Sequence, residues 1–306
     1  MKNMPPKLHH SFLRMKPLLL TAIFLFPICI VNSASSRNFQ PSNNPLITQR
    51  KEEFNFDKVM PLVIEADKAE ASGLYLLEIQ KRKEILTLVE NDLPPKSPII
   101  ADALEALGQA YFYASFYNKA EIVFTRALSI RKDYLNLQKE ISFGQESKSI
   151  EEAQKLVSVS LNSIASTYSA QYQFEKAEAL FLENLAITEE TFGSEHIELS
   201  PILNNLANIY ATLGHYSHAI SLYKRALKIH EKVYGLDNKE SIVIRGSLAN
   251  TYSNQGQYKK AKIIYEDILE RSDRVLGPNH PYTARSLFEL GKTYQKVGLY
   301  KLSKTY

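Results

Sequence analysis

A tyrosine returns every 42 residues in this chain, at Tyr168, Tyr210, Tyr252 and Tyr294, each time within the same amphipathic phrase. A period of that length specifies a solenoid, in which each unit packs only on its neighbours. Aligned on the tyrosine, other positions form columns: Leu161, Leu203 and Leu287; Ile164, Leu206, Leu248 and Leu290; Ala165, Ala207, Ala249 and Gly291. After it come Gly214, Gly256 and Gly298, then Ala177, Ala219 and Ala261, then Phe181, Tyr223 and Tyr265. Together these spell a helix, a tight turn and a second helix. Leu203, Leu206, Ala207 and Tyr210 share one helical stripe, and Ala219, Leu222, Tyr223, Ala226, Leu227 and Ile229 share another, at a spacing of about 3.6. Gly214 and its equivalents end the first helix in a left-handed conformation, and Gly193, Gly235 and Gly277 are expected to close the second in the same way.

The phrase extends upstream. Tyr111 repeats it 57 residues before Tyr168, an excess of 15. Aligning Gly144 with Gly193 divides that excess between two helices, each lengthened by about two turns. The spacing therefore predicts a protruding hairpin over residues 131–157, with a loop around Asn136 to Ser149 as the alternative. A degenerate unit around Gly73 and Tyr75 begins the array, as expected of a terminal repeat. The reading is an all-helical, right-handed solenoid of about six units over residues 54–306, the first degenerate and the last incomplete.

Residues 1–34 stand apart. Lys2, Lys7, Arg14 and Lys16 precede an apolar run of 15 residues from Pro17 to Val31, followed by Ser33, Ala34 and Ser35. That order matches a cleaved secretory signal, which implies a secreted or periplasmic protein. The run reaches only about 22 Å as a helix against a hydrocarbon core of about 30 Å. A membrane anchor is the alternative, if the leader stays uncleaved. Residues 35–53, rich in Ser, Asn, Gln and Pro, read as a disordered spacer. The formal charge of +4 lies wholly in the leader, so the rest is balanced and gives no reason to expect nucleic acid. The single cysteine, Cys29, also lies in the leader, which leaves no disulfide, cysteine nucleophile or thiolate metal site downstream.

The columns resemble the tetratricopeptide repeat family, and LNNLANIYATLGHYSHAISLYKRALKIHEKVYG with VLGPNHPYTA resembles its kinesin light chain subtype. Arg245 replaces the usual leucine, Tyr172 the turn glycine, and Asn184 the alanine found at Ala226. The resemblance implies a superhelix whose first helices line a concave groove that binds a protein or peptide. Helical spacing places Asn204, Asn208 and Thr212 along one edge of a first helix. The same columns hold Asn162 and Ser166, Asn250 and Asn254, and Lys292 and Lys296, with Glu105, Gln109 and Tyr113 upstream. Asparagine offers both donor and acceptor, so a ladder of asparagines can pair with an extended backbone of any sequence. The alternative for each residue is a solvated polar position inherited with the repeat. Relatives that grip a terminal carboxylate carry lysine where Asn162, Asn204 and Gly246 stand, which confines such a clamp to Lys292 and Lys296.

Nothing in the sequence assembles catalytic, cofactor or metal chemistry, and the chain is read as a non-enzyme. His196 and His280 share a loop column, while His215, His218 and His230 read as surface. The incomplete last unit predicts open apolar surface near Leu287, Leu290 and Tyr294, consistent with a fragment of a longer protein or with self-association through that end. The functional reading is an exported interaction scaffold. The alternatives are the N-terminal regulatory arm of a larger effector, such as a caspase-like protease, and a self-associating structural protein.

Overall fold

The computed structural model describes residue 54 and residues 56–142, 148–277 and 281–298. The proposed leader (1–34), the spacer (35–53) and the end of the last unit (299–306) lie outside the described residues. The described residues fall into two units, one ending at Met60 and the other beginning at Pro61. In the first, Phe56–Lys58 makes a short 3-10 turn, and the Phe54 and Phe56 rings meet edge to face at 5.0 Å.

The helices are α1 (Met60–Ala71), α2 (Tyr75–Asp92), α3 (Pro98–Tyr113), α4 (Tyr117–Ile141), α5 (Lys148–Ala170), α6 (Phe174–Phe192), α7 (Leu199–Thr212), α8 (Tyr216–Tyr234), α9 (Lys239–Asn254), α10 (Tyr258–Leu276) and α11 (Pro281–Lys296). No strand occurs among the described residues, and the array is an all-helical superhelix. At 25 and 23 residues, α4 and α5 are longer than the 19-residue α6, α8 and α10. Both helices of that hairpin are therefore extended, as the spacing predicts, and residues 143–147 between them are not described.

The first helices α3, α5, α7 and α9 end in Schellman turns built on the periodic tyrosine. The His215 N–H donates to the Tyr210 carbonyl at 2.8 Å and the Gly214 N–H to the Ala211 carbonyl at 3.2 Å. The same six-residue bond returns to Tyr111, Tyr168 and Tyr252. The motif needs a left-handed residue, and Gly214 has φ 80°. Ser115 and Tyr172 hold the equivalent conformation at φ 63° and 61° without a glycine, at a cost of about 1–2 kcal/mol each.

The second helices stop differently from the first. Gly193, Gly235 and Gly277 combine φ near 80° with ψ of 164°, 176° and 160°. This corrects the expectation of one shared closure. The conformation is extended rather than helical in ψ, lies in a region essentially restricted to glycine, and turns the chain directly into the next hairpin.

Packing follows the columns. Ala207 and Ala219 are fully buried and let α7 and α8 approach, while Tyr223 fills the adjoining space at 1% exposure. One apolar cluster runs from Leu199 through Tyr252 and Tyr265 to Tyr294, so α7–α11 share a continuous core. Separate clusters lie beneath α3–α5 and α5–α7. The expected open end is corrected at two of its three residues: Leu290 and Tyr294, at 1% and 4% exposure, belong to the core shared with the preceding hairpin, while Leu287 is half-buried and Phe288 beside it is exposed.

Candidate peptide-binding groove

Successive first helices approach one another, α3 to α5, α5 to α7, α7 to α9 and α9 to α11, and so form the inner row of the array. The polar columns lie on this row. The structure separates them into three depths.

The deepest column holds Glu105, Asn162 and Asn204, at 1%, 9% and 1% exposure. Asn162 accepts from Asn205 Nδ2 at 3.0 Å, which staples α5 to α7. Asn204 Oδ1 is buried with no hydrogen-bond partner. These asparagines form the groove floor rather than its open edge. At the next position of this column Gly246 leaves open space, with no atom within 4 Å of where a Cβ would stand, and Phe288 follows it.

The middle column is half-buried at Ser166, Asn208 and Asn250 and exposed at Lys292. Here the structure shows partners that the sequence reading missed. Asn208 Oδ1 accepts the hydroxyl of Tyr223 at 2.6 Å, and Asn250 Oδ1 accepts that of Tyr265. Burial pushes both phenols above their ordinary range, so the hydroxyls stay protonated donors. The signal was present in the repeat. A spacing of 15 residues pairs asparagine with tyrosine twice, whereas Phe124 and Phe181, lacking a hydroxyl, stand opposite Gln109 and Ser166. Lys292 is held by Glu289 at 2.9 Å and lies 5.3 Å from the Phe288 ring centroid.

The outer column, Thr212, Asn254 and Lys296, is exposed. Thr212 Oγ1 donates to its own helix at the Asn208 carbonyl, 2.8 Å away.

At the other end of the array lies a buried ionic cluster that the periodicity gave no reason to expect. Arg131 on α4 donates to Asp102 at 3.0 Å, Glu105 at 2.9 Å, Ser160 Oγ at 2.8 Å and the Leu156 carbonyl at 3.1 Å. Burial raises the Asp102 carboxyl against the opposing pull of Arg131. Glu105 also accepts from Ser160 and Ser163 on α5, so one carboxylate of the inner row is fully committed.

Two of the three departures from the repeat pattern have polar partners. Arg245 bridges Glu231 and Asp267, the latter at 2.6 Å, and Asn184 Nδ2 donates to the Ser158 carbonyl at 3.0 Å. His230 corrects a surface reading: it is 7% exposed, with Nδ1 3.0 Å from Ser241 Oγ, and burial lowers its pKa. His215 and His218 are exposed. Among the described residues no group of three or more His, Cys, Asp or Glu could hold a metal ion, and no helix is long and apolar enough to cross a membrane.

The tetratricopeptide repeat family model matches residues 156–232 and 240–306. The matched segments carry tetratricopeptide repeats, and the fold is a tetratricopeptide-type helical solenoid similar to that of kinesin light chain-like repeat proteins. Among solved structures it is similar to BtubC (BKLC) from P. vanneervenii, at 18% identity and a TM-score of 0.60, over 80% of this chain and 87% of that one. A Podosopora anserina protein of nearly identical TPR-like repeats, named for kinesin light chain, matches at 21% identity and a TM-score of 0.52, over 68% of this chain and 92% of that one. A Rap protein complexed with competence and sporulation factor matches at 14% identity and a TM-score of 0.55, over 78% of this chain and 70% of that one. No curated protein matches the chain in sequence. The fold is consistent with a protein-interaction scaffold.

Proposed function

We propose that this chain is an exported scaffold that binds a peptide or an extended protein segment in its inner groove. The observation that carries the reading is the state of Asn208 and Asn250. Their carbonyl oxygens are anchored by Tyr223 and Tyr265, while among the described residues no acceptor meets their Nδ2 groups, which stand on the half-buried inner row. An unpaired amide beside a partly desolvated groove is a ready donor for a ligand, worth about 0.5–1.5 kcal/mol per bond. The Rap neighbour in complex with a factor is a fold-level analogy for binding by such an array. Export rests on the basic, apolar and small-residue order of residues 1–34, and sequencing the N-terminus of the protein recovered from its cell tests it.

Gly246 offers a clean test of the groove. It is helical, and nothing lies within 4 Å of the position a Cβ would take, so Gly246→Arg fills the inner face without disturbing the core. Random dodecapeptides selected on the full wild-type chain are expected to bind Gly246→Arg at least tenfold more weakly. Selected peptides that bind both proteins equally would move the site off the inner face.

A further inference from the structure

We propose that the groove over α7, α9 and α11 takes a polyproline II segment, whose backbone carbonyls at every third residue accept from Asn208, Asn250 and Lys292. This deepens the groove reading above and rests on it.

A free asparagine side chain offers both a donor and an acceptor, and could pair with the N–H and the C=O of a β-like strand together. Asn208 and Asn250 cannot do so on equal terms, because each Oδ1 already accepts a buried tyrosine hydroxyl. What each turns to a ligand is its NH2 group. Lys292, next in the column, carries an ammonium with donors and no acceptor. Three consecutive positions of one column are therefore donors, set by Tyr223 and Tyr265 from the second helices behind them. A ligand that meets this row needs carbonyls and has no use for its own N–H groups. Proline, which has a carbonyl and no N–H, loses nothing there.

The repeat distance selects the same conformation. Packed helices lie about 8–10 Å apart; α7, α9 and α11 touch in succession, and a spacing of that order between the three donors is part of the proposal. A polyproline II chain returns to the same face every three residues, about 9.3 Å. A β-strand returns every two, about 6.7 Å, and falls out of phase by the second helix. The left-handed segment thus presents carbonyls i, i+3 and i+6 to the three donors. Such a chain makes no internal hydrogen bonds, so its carbonyls are free, and it arrives with little conformational entropy to lose. Phe288 adds an apolar face at the end of the row: its ring is 62% exposed beside Lys292, where a proline ring can pack.

The test uses two capped dodecapeptide libraries on the full chain, one with proline fixed at every third position and one free of proline. Binders blocked by Gly246→Arg are synthesised and titrated by fluorescence anisotropy. Enrichment from the proline library is expected, together with at least tenfold weaker binding to Asn208→Asp/Asn250→Asp. In that variant the carboxylates still accept from Tyr223 and Tyr265 but bring no N–H. If the aspartate pair fails to fold by circular dichroism, Tyr223→Phe/Tyr265→Phe replaces it. That pair frees the asparagine carbonyls and should narrow the preference for proline-library binders by at least threefold. Groove binders that are proline-free, and that lose affinity when proline is placed at each position in turn, would overturn the polyproline II assignment while leaving the groove reading intact. So would binders indifferent to both variant pairs. An absence of Gly246→Arg-sensitive binders from either library would overturn the groove reading and this inference with it.

Discussion

Tyr223 lies almost wholly in the core, yet its hydroxyl decides which atoms of Asn208 face the groove. In the proposed groove, ligand binding and packing fall to the two ends of one side chain. A comparable economy governs Gly108. Where later repeats place Ala165, Ala207 or Ala249, this unit has glycine, and an added Cβ would stand 2.4 Å from the Phe124 ring. Gly108→Ala is expected to destabilise the fold by about 1–3 kcal/mol through overpacking, read as a lower urea midpoint at an unchanged slope. A gain in stability would show that Phe124 yields freely, since alanine is otherwise the better helix former. The sequence displayed this glycine in an alanine column. Its cause lay in a ring one helix away, which no column could reveal.

At the level of elements, the helices were legible because a 3.6-residue pattern inside a 42-residue period leaves little choice of register. The extra residues before Tyr168 could be read as longer helices for the same reason, since whole turns preserve the buried face. The Arg131 cluster was not legible. Asp102, Arg131 and Ser160 do not repeat along the array, and only their contacts with one another make them a set. This cluster ties α3, α4 and α5 at the base of the long hairpin. Arg131→Met leaves Glu105 and Asp102 without their cation and is expected to cost about 3–5 kcal/mol at neutral pH. The loss should shrink on acidification, as the stranded carboxylates take up protons. A loss that is flat with pH in denaturant titrations would show that the carboxylates find other partners. His230 escaped the sequence reading for a similar reason. It lies one turn from the end of α8, where periodicity is weakest, and the N-terminal turn of α9 buries it through Ser241.

For the molecule as a whole, the inner row could be located from columns alone, but the depth of each column could not. Asn204 and Asn208 differ by one helical turn, yet one is floor and the other edge, because the curvature of stacked hairpins sets that depth and a single unit does not encode it. The recurring tyrosines give the array a response to alkali. A hydrogen bond to Glu178 holds the Tyr210 phenol up at about 12, a bond to Glu121 raises Tyr168, and burial raises Tyr223 and Tyr265. In the unfolded chain these groups titrate near 10. Their contribution to stability is therefore complete below about pH 10 and is lost as pH climbs through the folded values. Ultraviolet tyrosinate absorbance should lag in the folded chain and then rise together with loss of helical circular dichroism. Smooth titration at the ordinary value with helix retained would contradict the hydrogen bonds.

Those same bonds point one way along the chain. Tyr168 on α5 reaches Glu121 on α4, Tyr210 on α7 reaches Glu178 on α6, and Tyr294 on α11 reaches Glu266 on α10, at 2.8, 2.7 and 2.5 Å. Each newly formed hairpin thus finds its acceptor on one already made. A ribosome delivers its product in that order, so every latch can close as soon as its tyrosine emerges. Assembly from the other end would leave each of these hydroxyls waiting for a carboxylate not yet in place.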